Sequence, residues 1–361
     1  MRLLLALVLA SLSWPALASA DAHAVVVARA LDGTWSRGPV QAVLGTPVEI
    51  GVAVIDDARA RIAPLPIDAR VRWLRVEPRL MHTTTPAPNP DIPSFGNAVL
   101  TGPRHGAWLG YDTLEYDTRD LVPSQDIVID GARARLSAAH PTAIEHDVHG
   151  GAGSIWLAAV VTLPDGSTLS TPDGTSTDRF GLERVVMRVS FRMGDDYLGW
   201  LATYFNVPNL FGSSGGRGDH QTDRYVGADC ADVLVGARRA MGERFAYASV
   251  AGISTYATPI AEAFEQAIDG RESAVLRWGI DVAPGDLVTI GYENPGDDAE
   301  LPRTWDHIGT LVRDADGDGV LSTRDVLRHM GFEGLVDEPL SVHGRVRLRV
   351  YRWLAAPRTH R

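Results

Sequence analysis

The sequence predicts a multidomain protein in which an all-β region of immunoglobulin-like sandwich type precedes an α+β region. From residue 21 to about residue 193, short runs rich in β-branched residues alternate with turn formers, as in "PVEIGVAVI" and "SIWLAAVVTL". After Gly194, three segments have helical spacing, and four strand-like runs then follow. Helices followed by antiparallel strands are typical of an α+β domain.

Residues 1–20 have the pattern of a secretory signal peptide. Arg2 precedes a leucine-rich run, and the small residues Ala18, Ser19 and Ala20 suit a cleavage site before Asp21. We therefore expect an exported protein, periplasmic or extracellular, with a β-rich domain at 21–193 and a second domain at 194–361. No later run approaches the roughly 20 uncharged apolar residues of a transmembrane helix, so we expect no transmembrane segment.

Composition excludes several partners and mechanisms. The formal net charge is -11, which argues against nucleic acid and against an anionic membrane surface as partners. All 34 basic residues are arginine, so no lysine is present to form a Schiff base. A single cysteine cannot form an internal disulfide, and in an exported protein its thiol is open to oxidation.

Three helices are predicted in the second domain. "DDYLGWLATYF" is the first and "TPIAEAFEQAIDG", with Thr258 as its cap, is the third. The second, "VGADCADVLVGARRAMG", begins at Asp229 as N-cap and stops at Gly242. Its apolar stripe has the spacing i, i+3, i+4, i+7 and i+11 and consists of Cys230, Val233, Leu234, Ala237 and Met241.

Cys230 is the candidate nucleophile. It lies in the first turn of a predicted helix, where unpaired N–H groups and the positive end of the dipole favour a thiolate. A cysteine nucleophile needs a base and a third group that orients the base. His307, at the start of "HIGTLV", is the candidate base, and Asp337 in "LVDEP" is the candidate third group. A packed, unreactive core cysteine is the alternative.

Several short segments resemble the NlpC-type papain-like cell-wall cysteine peptidases. In chain order they are "YFNVPNLFGSSG" with "GADCADVLVGARRAMG", then "VAPGDLVTI", "DHIGTLV" and "LVDEPLSVHGRVRLRVYRW", and together they span about residues 197–353. The resemblance implies a papain-like fold for the second domain. It also implies Cys230 as nucleophile, His307 as base and Asp337 as the orienting residue.

The resemblance also implies substrate contacts, and here the sequence departs from the family. Asp229 matches the family's aspartate that helps to bind the free amine of a stem peptide, but Ala231 replaces the serine after the cysteine. Asn209 replaces the family's tyrosine, whose hydroxyl Tyr225 is a candidate to supply. The family often has histidine as its third residue, so His329 and His343 are alternatives to Asp337.

The loop "DADGDGVLSTRD" has the spacing of an EF-hand calcium loop, with aspartate in place of the final glutamate. Its glycine at position 6 permits a sharp turn, and its odd positions bring oxygen atoms around one hard cation. The expected ligands are Asp314, Asp316, Asp318, the Val320 carbonyl, Ser322 and Asp325. We expect a structural Ca²⁺, an exiting helix in "STRDVLRHMG" and no organic cofactor. An acidic turn without an ion is the alternative.

Three functions remain compatible with the sequence. The first is an exported cysteine hydrolase that cleaves amide bonds, most simply in peptidoglycan stem peptides. The second is a transglutaminase-like acyl transferase or another amidase of the papain-like class. The third is a non-catalytic, calcium-stabilised surface-binding protein. The "PGDLV" segment before the histidine favours the first.

Overall fold

The computed structural model describes residues 22–31, 33–56, 61–83, 98–99, 110–140, 149–178, 180–213, 220–266, 275–292, 305–332 and 334–355. The predicted signal peptide at 1–20 lies outside these residues. Within them, no helix has the length and apolar character that crossing a membrane requires.

Fourteen strands precede the first helix of the described chain. They are β1 (Ala22–Ala30), β2 (Val40–Val43), β3 (Val48–Asp56), β4 (Arg61–Pro64), β5 (Arg70–Thr83), β6 (Ala98–Val99), β7 (Gly110–Asp120), β8 (Ile127–Asp130), β9 (Arg133–Leu136), β10 (Gly153–Thr162), β11 (Thr168–Ser170), β12 (Thr177–Asp178), β13 (Gly181–Leu182) and β14 (Met187–Arg192). One sheet has the order β1-β3-β9-β8, with β4 beside β3. Another has the order β2-β14-β10-β5-β7-β6, with β11 beside β10.

A buried apolar core joins these two sheets. Strand residues alternate between core and surface, as the exposed-buried pattern of β9 shows. Buried side chains from both sheets meet in one cluster that includes Val26, Ile50, Ile155, Leu157 and Phe191. Strand pairing is antiparallel except between β14 and β2, which run parallel. The two sheets are compatible with the predicted β-rich first half.

Three α-helices come next: α1 (Tyr197–Leu201), α2 (Gln221–Arg224) and α3 (Cys230–Ala240). The third sheet is built from β15 (Ala257–Pro259), β16 (Phe264–Gln266), β17 (Leu287–Tyr292), β18 (His307–Arg313), β19 (Val326–Met330), β20 (Leu335–Pro339) and β21 (Val346–Trp353). Its order is β15-β21-β17-β18-β19-β20, with β16 also paired to β21. Of the three helices, α3 alone exceeds two turns.

The predicted α+β, papain-like arrangement of the second half is wrong. Strands hold 45% and helices 13% of the described residues. The segment predicted as a third helix contains β15 and β16 instead, and both pair with β21. The predicted helix after the acidic loop is β19, which pairs on both sides. In each segment, long-range strand pairing outweighs local helical spacing.

A second apolar core crosses the predicted boundary between residues 193 and 194. It includes Leu74, Trp156 and Leu182 from the first half. From the second half it includes Leu234 of α3 and Ile308 of β18. The helices therefore pack between two β-sheets, with α3 against the strand that begins at His307.

Candidate functional site

Cys230 is the first residue of α3 and is half-buried. Asp229 caps the helix, because its Oδ1 accepts hydrogen bonds from the amides of Ala231 at 3.0 Å and Asp232 at 2.8 Å. The amide of Ile308 donates to the Cys230 sulfur. The thiol therefore lies beside the residue that follows His307.

His307 contacts a second histidine. Its Nε2 lies 2.9 Å from Nδ1 of His329 on the neighbouring strand. Nε2 of His329 in turn lies 3.2 Å from Oε2 of Glu338 on β20. Strand geometry explains this line of groups: Gly309 pairs with His329, and residues two apart share a face. His307, His329 and Glu338 therefore project from the same side of the sheet.

His343 and Tyr292 border this line. The His343 ring centroid lies 4.7 Å from that of His329 and 5.6 Å from that of His307. Nδ1 of His343 lies 2.8 Å from the Tyr292 hydroxyl. Burial raises the pKa of Tyr292, and the neighbouring Cys230 and Asp306 add to this effect. Tyr292 is 36% exposed, so its side chain is partly open to solvent.

Burial favours the neutral forms of the Cys230 thiol and the His307 imidazole. It raises the pKa of the Cys230 thiol, and the negative charge of Asp229 raises it further. The pKa of His307 lies well below its ordinary value because of burial and the neighbouring His329 and His343. These effects oppose the thiolate-favouring end of α3. Both shifts favour a neutral thiol and a neutral imidazole.

Asp229 is itself perturbed. Burial and the nearby charge of Asp232 raise its pKa to about 7. Both of its oxygens are engaged, since Oδ2 accepts a hydrogen bond from the Gly212 amide at 3.1 Å. Asp232 accepts a hydrogen bond from Ser213 at 2.8 Å. The predicted amine-binding carboxylate therefore has a structural role as helix cap in this conformation.

Asp337 lies on the other side of the sheet from His307. It forms a two-pronged ion pair with Arg328, at 2.6 Å to Nε and 2.8 Å to Nη2. Arg328 also donates to the Leu198 carbonyl at 3.0 Å. Asp337 and Arg328 face each other across β19 and β20. The structure thus places His329, one of the two predicted alternatives to Asp337, next to His307. Asp337 pairs with Arg328 instead.

The two other predicted substrate residues have separate surroundings. Asn209 donates to the Gly331 carbonyl at 2.7 Å, which ties the chain before Cys230 to the turn after β19. The Tyr225 hydroxyl lies 2.9 Å from Thr203 Oγ1, and its ring stacks on Tyr204. Tyr225 is buried in the shared core, and Tyr292 is the tyrosine near the thiol.

The acidic loop brings together part of the predicted calcium set. One ligand atom each from Asp314, Asp316 and Asp325 lies within 4.8 Å of the others. The carboxylate of Asp325 is fully buried and accepts hydrogen bonds from the Ala315 and Ser322 amides and from Trp278. Three carboxylates suit a hard cation such as Ca²⁺. Asp318 is not part of this carboxylate cluster.

Two residues of the site, Glu338 and Tyr292, were not predicted. Side chains along "LVDEP" alternate between the two faces of the strand, so residues 337 and 338 lie on opposite faces. This alternation could have indicated Glu338. Using that signal requires knowing that β19 and β20 pair with Arg328 opposite Asp337. Tyr292 ends β17, which pairs with the start of β18, and nothing in its own sequence segment marks it.

The arrangement provides a half-buried thiol at a helix N-terminus next to the Ile308 amide. His307, the residue before Ile308, contacts a second histidine that lies beside a carboxylate. These are the groups that acyl transfer through a cysteine requires. Comparison of the chain with protein-family models, curated proteins and solved structures finds no match.

Proposed function

We propose that this protein is an exported cysteine hydrolase that cleaves amide bonds, with peptidoglycan stem peptides as the substrate class. The observation that carries the proposal is the line from His307 through His329 to Glu338. His307 immediately precedes Ile308, whose amide lies at the Cys230 sulfur. The short segments similar to NlpC-type peptidases support the choice of substrate. In this proposal His329 replaces Asp337 as the third residue.

The hydrogen-bond partners select the tautomers that a base needs. The Glu338 carboxylate accepts a hydrogen bond, so Nε2 of His329 carries the proton. Nδ1 of His329 is then unprotonated and has a free lone pair. That lone pair accepts from Nε2–H of His307. Nδ1 of His307 is then unprotonated and available to take a proton. In the alternative tautomer, Nδ1–H of His329 donates to the Met330 carbonyl. Its unprotonated Nε2 would then face the Glu338 carboxylate, and neither atom could donate a hydrogen bond.

The neutral ground state determines the order of proton transfers. As the Cys230 sulfur attacks the substrate carbonyl, its proton passes to Nδ1 of His307. The resulting imidazolium is stabilised through His329 by the Glu338 carboxylate. It then protonates the leaving amine and leaves an acyl thioester. Water, deprotonated by the same histidine, hydrolyses the thioester and restores the thiol.

The test is digestion of purified muropeptides followed by mass spectrometry. We expect wild type to release fragments cut at an amide bond and Cys230→Ala to release none. Ser341→Ala, which changes an exposed hydroxyl in the same half of the chain, is the matched control and should cleave normally. Circular dichroism of each variant checks the fold.

Equal digestion by folded Cys230→Ala and wild type would refute the nucleophile. No digestion by wild type, in the presence or absence of calcium, would refute the substrate class. A panel of other peptide amides would then decide between a different amidase and a protein without hydrolytic activity.

A further inference from the structure

A cavity of about 680 Å³ lies beside the C-terminal part of α3, at the opposite end of the helix from Cys230. It opens between β14, the C-terminal half of α3 and residues 242–246. Its lining includes Arg188, Tyr204, Asp223, Tyr225, Arg239 and Arg244. Neither Cys230 nor any of the histidines described above lines it, so the cavity is separate from the proposed catalytic site.

Arg188 is the unusual group in this cavity. It is only 7% exposed, and its guanidinium carbon lies 3.5 Å from the centroid of the Tyr225 ring. Its Nη1 donates to Ser190 Oγ at 2.8 Å. Among the described residues, no carboxylate forms an ion pair with it, and burial lowers its pKa.

The acidic residues of the cavity already have partners. Asp223 binds Arg239 through two hydrogen bonds of 2.8 and 2.7 Å and also accepts one from Tyr247. Glu243 pairs with Arg238. Arg188 and the exposed Arg244 therefore contribute positive charge to the cavity that its own carboxylates do not neutralise.

A buried cation without a counter-charge is costly, and an anion that enters beside it relieves that cost. A guanidinium has five N–H donors in a fork that matches carboxylate and phosphate oxygens. In Arg188, Nη1 donates to Ser190, and the guanidinium also contacts the Tyr225 hydroxyl. The volume falls within the roughly 300–1,000 Å³ typical of pockets for small organic molecules, and the largely buried Tyr204, Tyr225 and Phe245 border it.

We propose that this cavity binds a small organic oxyanion, with a carboxylate or phosphate group on Arg188 and with Arg244 at the entrance. The site does not depend on the proposed hydrolase activity. Its ligand is recognised by its negative charge.

Isothermal titration of the full chain at constant ionic strength tests the proposal. Phenyl phosphate and benzoate share an aromatic ring and differ in the charged group, and benzyl alcohol is the neutral control. We expect saturable binding of at least one of the two anions and at least tenfold weaker binding of the alcohol. The anion that binds identifies the charged group that the site prefers.

Arg188→Met keeps the length of the side chain and removes its charge. We expect it to weaken anion binding by at least about tenfold, because it removes the charged donor that pairs with the anion. Arg244→Gln at the exposed entrance should weaken binding by about threefold and tests the site if Arg188→Met does not fold. Arg72→Gln, on the exposed surface of β5, should bind as wild type does.

The proposal is overturned if neither anion saturates the protein at tens of millimolar. It is also overturned if benzyl alcohol binds as tightly as the anions. Unchanged affinity in a folded Arg188→Met variant would equally refute it, as would unchanged affinity in Arg244→Gln should the first variant not fold.

Discussion

One position along β20 separates two carboxylates with different roles. Glu338 lies 3.2 Å from the ring of His329, whereas Asp337 binds Arg328 on the opposite face of the sheet. The side chain of Arg328 is 4% exposed and that of Asp337 is 18% exposed. In the proposed mechanism Glu338 therefore acts on catalysis through His329, and Asp337 stabilises the fold by neutralising a buried arginine.

Substitution of these residues should separate activity from stability. His329→Ala should lower kcat/KM by about 10²-fold or more, because His307 loses the group that fixes its tautomer. Asp337→Asn should lower the free energy of unfolding by about 3 kcal/mol, because it leaves Arg328 buried without its counter-charge. Muropeptide kinetics and urea unfolding measure the two effects. If Asp337→Asn is fully folded but inactive and His329→Ala is active, the result contradicts the proposed role of His329 and assigns the third catalytic position to Asp337.

The acid limb of the pH–activity profile should lie below pH 6.5. His307 accepts a proton only when it is neutral, and its pKa is lowered by burial and by its histidine neighbours. As pH falls, the base therefore stays active below the ordinary histidine pKa of about 6.5. Burial lowers the pKa of His329 to about 4, so the orienting residue also stays neutral in that range.

Measurement of kcat/KM between pH 4 and pH 8 tests this expectation, with circular dichroism at each pH to confirm that the protein remains folded. An acid limb at or above pH 6.5 would contradict a buried, neutral base. Loss of folded structure at the same pH as loss of activity would mean that the profile reports unfolding.

At the scale of elements, the acidic loop at 314–325 lies between β18 and β19 in the chain. The loop joins these two strands directly, and they carry His307 and His329. The buried carboxylate of Asp325 connects the loop to Trp278 at 2.9 Å. A cation held by Asp314, Asp316 and Asp325 would therefore cross-link the two ends of this hairpin connection.

Calcium is expected to stabilise the protein. With free Ca²⁺ at about 100 times its dissociation constant, the gain is about 2.7 kcal/mol. For a chain of this size we expect the melting temperature to rise by at least about 3 °C. Differential scanning fluorimetry with calcium, magnesium or a chelator measures the rise, which Asp314→Asn should abolish.

Asp130→Asn, at the exposed end of β8 in the first half, is the matched control and should retain the calcium effect. An unchanged melting temperature of wild type in calcium would show that the loop is an acidic turn without an ion.

The elements also show what the sequence can and cannot predict. The capped helix at Asp229 and the strand that begins at His307 follow from local signals, namely a capping residue and a run of β-branched residues. The helix expected at Thr258 fails because β15 hydrogen-bonds to the distant β21. The choice between Asp337 and Glu338 depends on strand register, and register is a property of two segments together.

At the scale of the whole molecule, polar contacts link the two halves beside their shared core. The buried side chain of Arg224 binds Asp178 at 3.0 Å and the Leu182 carbonyl at 2.7 Å. The Ser154 amide donates to the Phe205 carbonyl at 3.0 Å, and Asn206 donates back to the Ser154 carbonyl at 3.0 Å. The first half therefore provides hydrogen-bond partners for the segments that lead into α2 and α3.

We accordingly expect residues 194–361 expressed alone to fail to form a native structure. Removing residues 1–193 exposes the apolar side of α3 that packs in the shared core with Trp156 and Leu182, and exposed apolar surface costs about 25 cal/mol per Å². It also leaves the buried Arg224 without Asp178. Near-ultraviolet circular dichroism and a urea titration measure the outcome. A cooperative unfolding transition in the isolated fragment would show that the second half is an independent domain, and that the contacts across residue 193 are dispensable for positioning Cys230.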